Sequence, residues 1–280
     1  MIIDFHTHAF EDVLAAKAIP FLEKEGHIKA AADGRTSGLL ASMDRAGIDR
    51  AVVCPIATKP SHFEGIRRWA RRVRAAQPRL EMLLSIHPDD PDALAHADET
   101  ADEGFKGVKL HPYYQKFTID DPRMFPLYER LAVRGLLAVF HTGFDMAYPL
   151  DRIADPVRVR RVIDAFPTLR FVATHLGGWR DWENARKYLI GRPIYVETSY
   201  CLHEMPAAEA RAMILDHPAD RILFGTDSPW ADQSAELARW RALGLPENLV
   251  AAAFGGNAER LLQQNPDLAG RRPRRKDDPP

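Results

Sequence analysis

Apolar and polar positions along the chain repeat as one unit: a short apolar run closes on a polar or ionisable side chain, and a longer amphipathic segment follows. Eight runs do this, closing on His6 and His8 (MIIDFHTH), Cys54 (AVVC), His87 (MLLSIH), Lys109 and His111 (GVKLH), His141 (LLAVFH), His175 (RFVATH), Glu197 (IYVE) and Asp227 (RILFGTD). They predict strands near 2–6, 50–54, 80–86, 105–110, 136–141, 170–175, 194–198 and 221–225. The segments between carry helix signals. Thr36-Ser37 precedes GLLASMDRAG, with Leu39, Leu40, Met43 and Ala46 on one face and Gly47 as the stop. Ser61 precedes a segment ended by Pro78. Asp121-Pro122 and Asp155-Pro156 place proline in a first helical turn. Further helices are expected at 178–189, 205–215 and 232–243. Strands alternating with helices predict parallel pairing through helical crossovers. Eight such units predict a single-domain α/β protein, a (β/α)8 TIM barrel, over residues 1–270.

Two stretches depart from the repeat. Residues 9–35 are an insertion after the first strand and, in a barrel, fall on the active-site face as a lid or pocket wall. The tail 271–280, RRPRRKDDPP, lacks apolar residues other than proline and is expected to be disordered.

Composition narrows the function classes. The 280 residues carry a formal net charge of -1, with 46% hydrophobic and 28% charged positions. This balance offers no global field for nucleic acid or an anionic membrane, and no apolar run reaches the ~20 residues that span a bilayer. The first strand begins at once, with no basic leader, so a cytoplasmic location is expected. Two cysteines make no disulfide framework. No interface stripe is legible, although homo-oligomers are common among soluble enzymes.

The chemistry lies at the strand ends, where barrel active sites gather. In His6-Thr7-His8 the two imidazoles share one face of a strand, and neutral imidazole is a preferred ligand of zinc and other divalent metals. His141 and His175 each precede glycine, which lets the backbone turn sharply. Any one of these could be a hydrogen-bonded structural histidine; four on three strand ends point to a metal. Asp227 adds a carboxylate on the eighth strand, beside the first once the barrel closes. Its alternative is a helix N-cap, a role for which Ser228 and Pro229 are better signals.

In IDFHTH, GVKLHP, VFHTG, ATHLGG, YVETS, FGTDSPW and GGNAERLL, spanning residues 2 to about 262, the sequence resembles the amidohydrolase superfamily, most closely its amidohydrolase-2 branch of hydrolases and nonoxidative decarboxylases. The resemblance implies that His6, His8, His141 and Asp227 bind a divalent metal, expected to be zinc and one ion rather than two. His175 would be a catalytic residue beside Asp227. In a two-metal site His175 would become a ligand and a carboxylated Lys109 the bridge. It further implies a metal-dependent hydrolase of a small amide, ester or lactone, with Asp227 as general base to a metal-activated water. The alternative is a metal-dependent lyase decarboxylating an aromatic or unsaturated acid. A third reading is a metal-free barrel that binds a small molecule.

The remaining candidates serve a small, anionic substrate. Lys109 and His111 share a strand face and could bind it. Trp179 and Arg180 follow HLGG, where Arg180 fits a substrate carboxylate or, equally, is a surface residue. Glu197 could orient a ligand histidine. Cys54 is expected to be small and buried, His87 to start a loop, and His27, His62, His96, His203 and His217 to lie at the surface.

Overall fold

The computed structural model describes residues 1–148 and 151–263, so the tail expectation for 271–280 lies outside the described residues. All eight expected strands form: β1 (Ile3–Thr7), β2 (Arg50–Val53), β3 (Leu80–Met82), β4 (Gly107–Leu110), β5 (Leu137–Phe140), β6 (Arg170–Ala173), β7 (Tyr195–Glu197) and β8 (Ile222–Leu223). Every pair is parallel, in the orders β1-β2-β3 and β4-β5-β6-β7-β8. Parallel bridges Leu84–Val108 and Thr7–Ser228 join the two sheets. The Phe5 N–H also donates to the Phe224 carbonyl at 2.8 Å, closing a (β/α)8 barrel.

The interior follows from side-chain alternation. Phe5, Val52, Leu83, Val139, Val172 and Leu223 form one buried apolar cluster. Two residues further along the same faces stand Cys54 after Val52 and His141 after Val139. The strand that packs the barrel's middle therefore also aims its next inward side chain into the mouth. In β1 a register shift between Asp4 and Thr7 brings His6 and His8 in after Phe5. Helices cover the outside: Phe63–Ala76 buries Phe63, Trp69, Ala70 and Val73 and presents its arginines outward.

Several helix starts follow the sequence signals. Asp155 caps Pro156–Ala165 by accepting from the Val157 and Arg158 N–H groups. Asp121 caps a 3-10 turn, Pro122–Met124, that leads into Phe125–Val133. The last barrel helix spans Gln233–Ala242, as expected for 232–243, and Asp232 rather than Ser228-Pro229 starts it, capping through the Ala235 N–H. An element not expected from the pattern follows. Glu247–Ala251, a π-helical turn and Asn257–Gln263 run on, and Ala258, Leu261 and Leu262 join Ile3 and Phe5 in the barrel's apolar cluster.

The insertion forms a helix, Asp12–Gly26, and Phe10, Leu22, Gly26 and Ile28 line the cavity at the strand ends. It is a wall of that cavity.

Candidate metal centre and active site

The cavity, about 150 Å³ in volume, lies at the carboxyl ends of the strands. On its floor, ligand atoms of His6, His8 and Asp227 lie within 4.8 Å of one another. Hydrogen bonds fix how each imidazole faces. His8 Nδ1–H donates to the Cys54 carbonyl at 2.8 Å, leaving the Nε2 lone pair 3.0 Å from Asp227 Oδ1. His6 Nδ1–H is shared between Glu197 Oε1 at 3.1 Å and Ser199 Oγ at 2.9 Å, leaving Nε2 3.5 Å from the same oxygen. Asp227 Oδ1 is buried and accepts no hydrogen bond. Imidazole lone pairs facing an orphaned carboxylate oxygen repel unless a proton or a cation lies between them, and Lys109 Nζ reaches only His6 Nε2. The donor set, two neutral nitrogens and one carboxylate oxygen, suits zinc, manganese or iron. The residues therefore fit a divalent metal.

Electrostatics agree with that donor set. Burial would raise the Asp227 carboxyl, but His6, His8 and His175 around it hold it below the usual carboxylate range. Burial holds His6 and His141 well below the ordinary histidine value and His175 at about 4. Burial also lowers Lys109, against Cys54, Asp227 and Glu197. Its Nζ donates to His6 Nε2 at 3.1 Å.

His141 stands one step away. Its Nε2–H donates to the Phe144 carbonyl at 2.8 Å, and its Nδ1 faces His175 Nε2 at 3.0 Å. His175 Nδ1–H donates to the Ser199 carbonyl at 2.9 Å. With both outer N–H groups engaged, the facing nitrogens also need a proton or a cation between them.

Beneath this floor Glu197 acts as a hub. It accepts from His6 Nδ1, from the His175 N–H at 3.0 Å, and from the Ser199 N–H and Oγ at 2.7 and 2.8 Å. Gly225 makes room for it, since a Cβ there would lie 2.1 Å from Glu197 Oε2. Asp4 ties β1 to the loop after β8, accepting from the His6 N–H, the Thr226 N–H, Thr226 Oγ1 and Gln233 Nε2. Burial pushes its carboxyl up to about 7 against those hydrogen bonds. The loops are held in uncommon backbone: His175, Leu176, Arg180, Tyr200 and Asp227 all have φ between 49° and 67°. Such strain concentrates at functional sites. The Asp227 N–H donates to the His6 carbonyl at 2.8 Å, which keeps this aspartate beside the two histidines.

Lys109, His111 and Trp179 line the cavity as expected of their positions. Arg180 does not. Its guanidinium makes two hydrogen bonds to Glu204, at 2.7 and 2.9 Å, and lies 4.2 Å over the Trp179 ring, with the side chain 55% exposed. Of its two expected places, substrate pocket or surface, the structure puts it at the rim, paired with Glu204 from 24 residues away. His217 is corrected from surface to buried; it accepts from the Gly191 N–H and donates to the Ile194 carbonyl. Sequence reasoning passed over Asp145, Ser199 and Asp4. Asp145 stands four residues after His141 on a loop with no periodicity, so only its spacing from a candidate ligand could have flagged it.

The chain superposes on solved barrels along nearly its whole length. An uncharacterized TIM-barrel protein from Bordetella bronchiseptica matches with a TM-score of 0.72 at 22% identity, covering 93% of this chain and 98% of that one. A 2,6-dihydroxybenzoate decarboxylase complexed with 2,6-dihydroxybenzoate matches with a TM-score of 0.72 at 18% identity, covering 94% and 99%. A 5-carboxyvanillate decarboxylase from Novosphingobium aromaticivorans, complexed with manganese and 4-hydroxy-3-methoxy-5-nitrobenzoic acid, matches with a TM-score of 0.71 at 15% identity, covering 94% and 96%. No curated protein sequence matches. The amidohydrolase family model matches residues 3–264, from the first residue of β1 through the helices that follow β8. By that match this chain belongs to the amidohydrolase family, as its strand-end motifs implied.

Proposed function

We propose that the chain is a metal-dependent lyase that decarboxylates a small aromatic carboxylic acid. The observation that carries this reading is the placement of charge in the cavity. Among the described lining residues, Lys109 is the one lysine or arginine, and it stands at the floor beside His6. A substrate carboxylate therefore belongs at the floor, where bonds are to be broken. A hydrolase for an anionic amide, ester or lactone would put the scissile carbonyl there and need a second cation further out. Arg180, the residue expected to supply it, is paired with Glu204. The hydrolase expectation therefore gives way to the lyase. The solved decarboxylases of the same fold, one with an aromatic acid and one with manganese and a nitrobenzoic acid, support the same choice.

His6, His8 and Asp227 would hold one ion, with His141 turned inward as the further ligand. When bound, the ion supplies positive charge that fixes and neutralises substrate oxygens. Manganese joins zinc as a candidate. The chain's own residues do the rest. Lys109 anchors the carboxylate end, and the rings of Tyr114, Trp179 and Trp230 wall a planar substrate. His175 would hold the incoming proton at Nε2, where its close approach to His141 Nδ1 calls for one, while Asp227 stays ionised beside the ion. In the reaction the ring–carboxylate C–C bond breaks, CO2 leaves, the electron pair stays on the ring carbon, and the proton forms the new C–H bond. Glu197 keeps His6 oriented.

The test is CO2 release by metal-reconstituted protein across a panel of hydroxylated benzoic acids, run beside matched esters and lactones. CO2 with the ring intact is expected. Cleavage of the esters or lactones with no CO2 from any acid would overturn the reading and restore the hydrolase.

A further inference from the structure

Across the His141 ring from His175, a second group of polar side chains faces the cavity from the loop side. His111, His141 and Asp145 bring ligand-type atoms within 4.8 Å, and the His111 and His141 rings stack at 4.2 Å. Asp145 is 7% exposed. Its Oδ1 accepts from the Ala147 N–H at 2.9 Å. Its Oδ2 lies 3.6 Å from His111 Nε2 and 4.0 Å from His141 Nε2, both longer than a hydrogen bond. His141 spends its Nε2–H on the Phe144 carbonyl. His111 Nδ1 accepts from the Tyr114 N–H at 3.5 Å, so the His111 proton sits on Nε2 and points toward Asp145. A donor and an acceptor thus stand side by side across a gap too wide for their own hydrogen bond. A hydroxyl in the cavity beside the pair can bridge it, accepting from His111 Nε2–H and donating to Asp145 Oδ2.

The same corner is unsuited to an anion. No lysine or arginine among the described lining residues stands near Asp145, because Lys109 is at the floor and Arg180 is held outside by Glu204. A second carboxylate here would meet a carboxylate in a partly desolvated corner, and like charges repel strongly there.

Resting on the decarboxylase reading above, we propose that the His111–Asp145 pair selects the substrate. It takes an aromatic monocarboxylate with a hydroxyl on the ring away from the reacting carboxylate, and it excludes aromatic dicarboxylates.

The experiment is calorimetric binding of benzoate, 3-hydroxybenzoate, 4-hydroxybenzoate, isophthalate and terephthalate to the full chain loaded with Mn2+, repeated with Asp145→Asn. In the wild type one of the hydroxybenzoates should bind at least about tenfold tighter than benzoate, and both dicarboxylates more weakly than benzoate. Asp145→Asn should remove most of the hydroxyl advantage and bring the dicarboxylates at least level with benzoate. A wild-type dicarboxylate binding as tightly as the best hydroxybenzoate would overturn the proposal, and so would an order unchanged in Asp145→Asn. The wild-type order stands as a test even if the variant folds poorly. Failure of this inference is separable from failure of the decarboxylase reading. CO2 release with the wrong binding order, or with no binding by any of the five acids, defeats selection alone, and the right order without CO2 defeats the reaction alone.

Discussion

The floor of the cavity and its loop-side wall use the same residue types to opposite ends. On the floor, His6, His8 and Asp227 converge so that lone pairs and a bare oxygen face one point, with Lys109 beside them. On the wall, His111 and Asp145 present a donor to an acceptor across a gap, and the arginine that could have brought charge is bound to Glu204. The floor is built on strands and locked by Glu197 and Asp4. The wall is built on the segment after β4, which carries His111, and on the loop after β5, which carries Asp145. A set of histidines and an acid is thus a metal site or a hydrogen-bonding site according to which ring nitrogens the surroundings have already taken.

The largest effects should come from the floor. Asp227→Asn is expected to lower kcat/KM for decarboxylation by about 10³-fold or more, some 4 kcal/mol, with an unchanged circular dichroism spectrum. Replacing His6 and His8 together by alanine should reduce bound metal from about one ion per chain to nearly none by elemental analysis. Normal turnover in the first, or retained metal in the second, would erase the distinction between floor and wall.

Lys109→Met comes next. Losing the floor's cation should raise KM for an aromatic acid about 10- to 100-fold, roughly 1.4 to 2.7 kcal/mol. Folding stability should change little, because a buried apolar chain of similar size replaces a charge that was costly to bury. A KM unchanged by this variant would move the carboxylate anchor elsewhere.

His217 sharpens the comparison as a buried histidine outside both regions. Burial lowers it from the usual 6.5 to about 4. Its folded value is below its unfolded one, so the unfolded chain binds more protons between those limits. Stability is then fully present above pH 6.5 and lost as the pH falls toward 4. Between pH 7.5 and 5 the wild type should lose about 2 kcal/mol more than His217→Gln, from the difference in chemical-denaturation midpoints. An equal loss in both would show that this histidine does not couple folding to protons.

The smallest effect is expected at the rim. Arg180→Ala should change kcat/KM by less than about twofold and stability by under about 1 kcal/mol, since an exposed ion pair contributes little. A tenfold rise in KM would return Arg180 to the substrate.

The floor was legible because its residues obey strand rules. His6 and His8 are two apart at the end of an apolar run, Lys109 closes another, and Asp227 follows the eighth run. The wall was not. Asp145 is on a loop, where no periodicity assigns a direction. The pairing of Arg180 with Glu204 depends on two loops meeting, and His217 looked exposed because its partners, Gly191 and the Ile194 carbonyl, belong to another part of the chain. The closing helix Asn257–Gln263 was read as a family motif, while its place in the barrel's apolar cluster came only with the fold.

By itself, then, the sequence determined the eight strands, their parallel order and the side chains that end on the active face. Local periodicity and strand alternation are properties of neighbouring residues. Tertiary structure alone decided which imidazole nitrogens stay unprotonated toward Asp227, which cation reaches the cavity and where an uncompensated carboxylate is left. Each of those depends on hydrogen bonds and ion pairs between residues far apart in the chain.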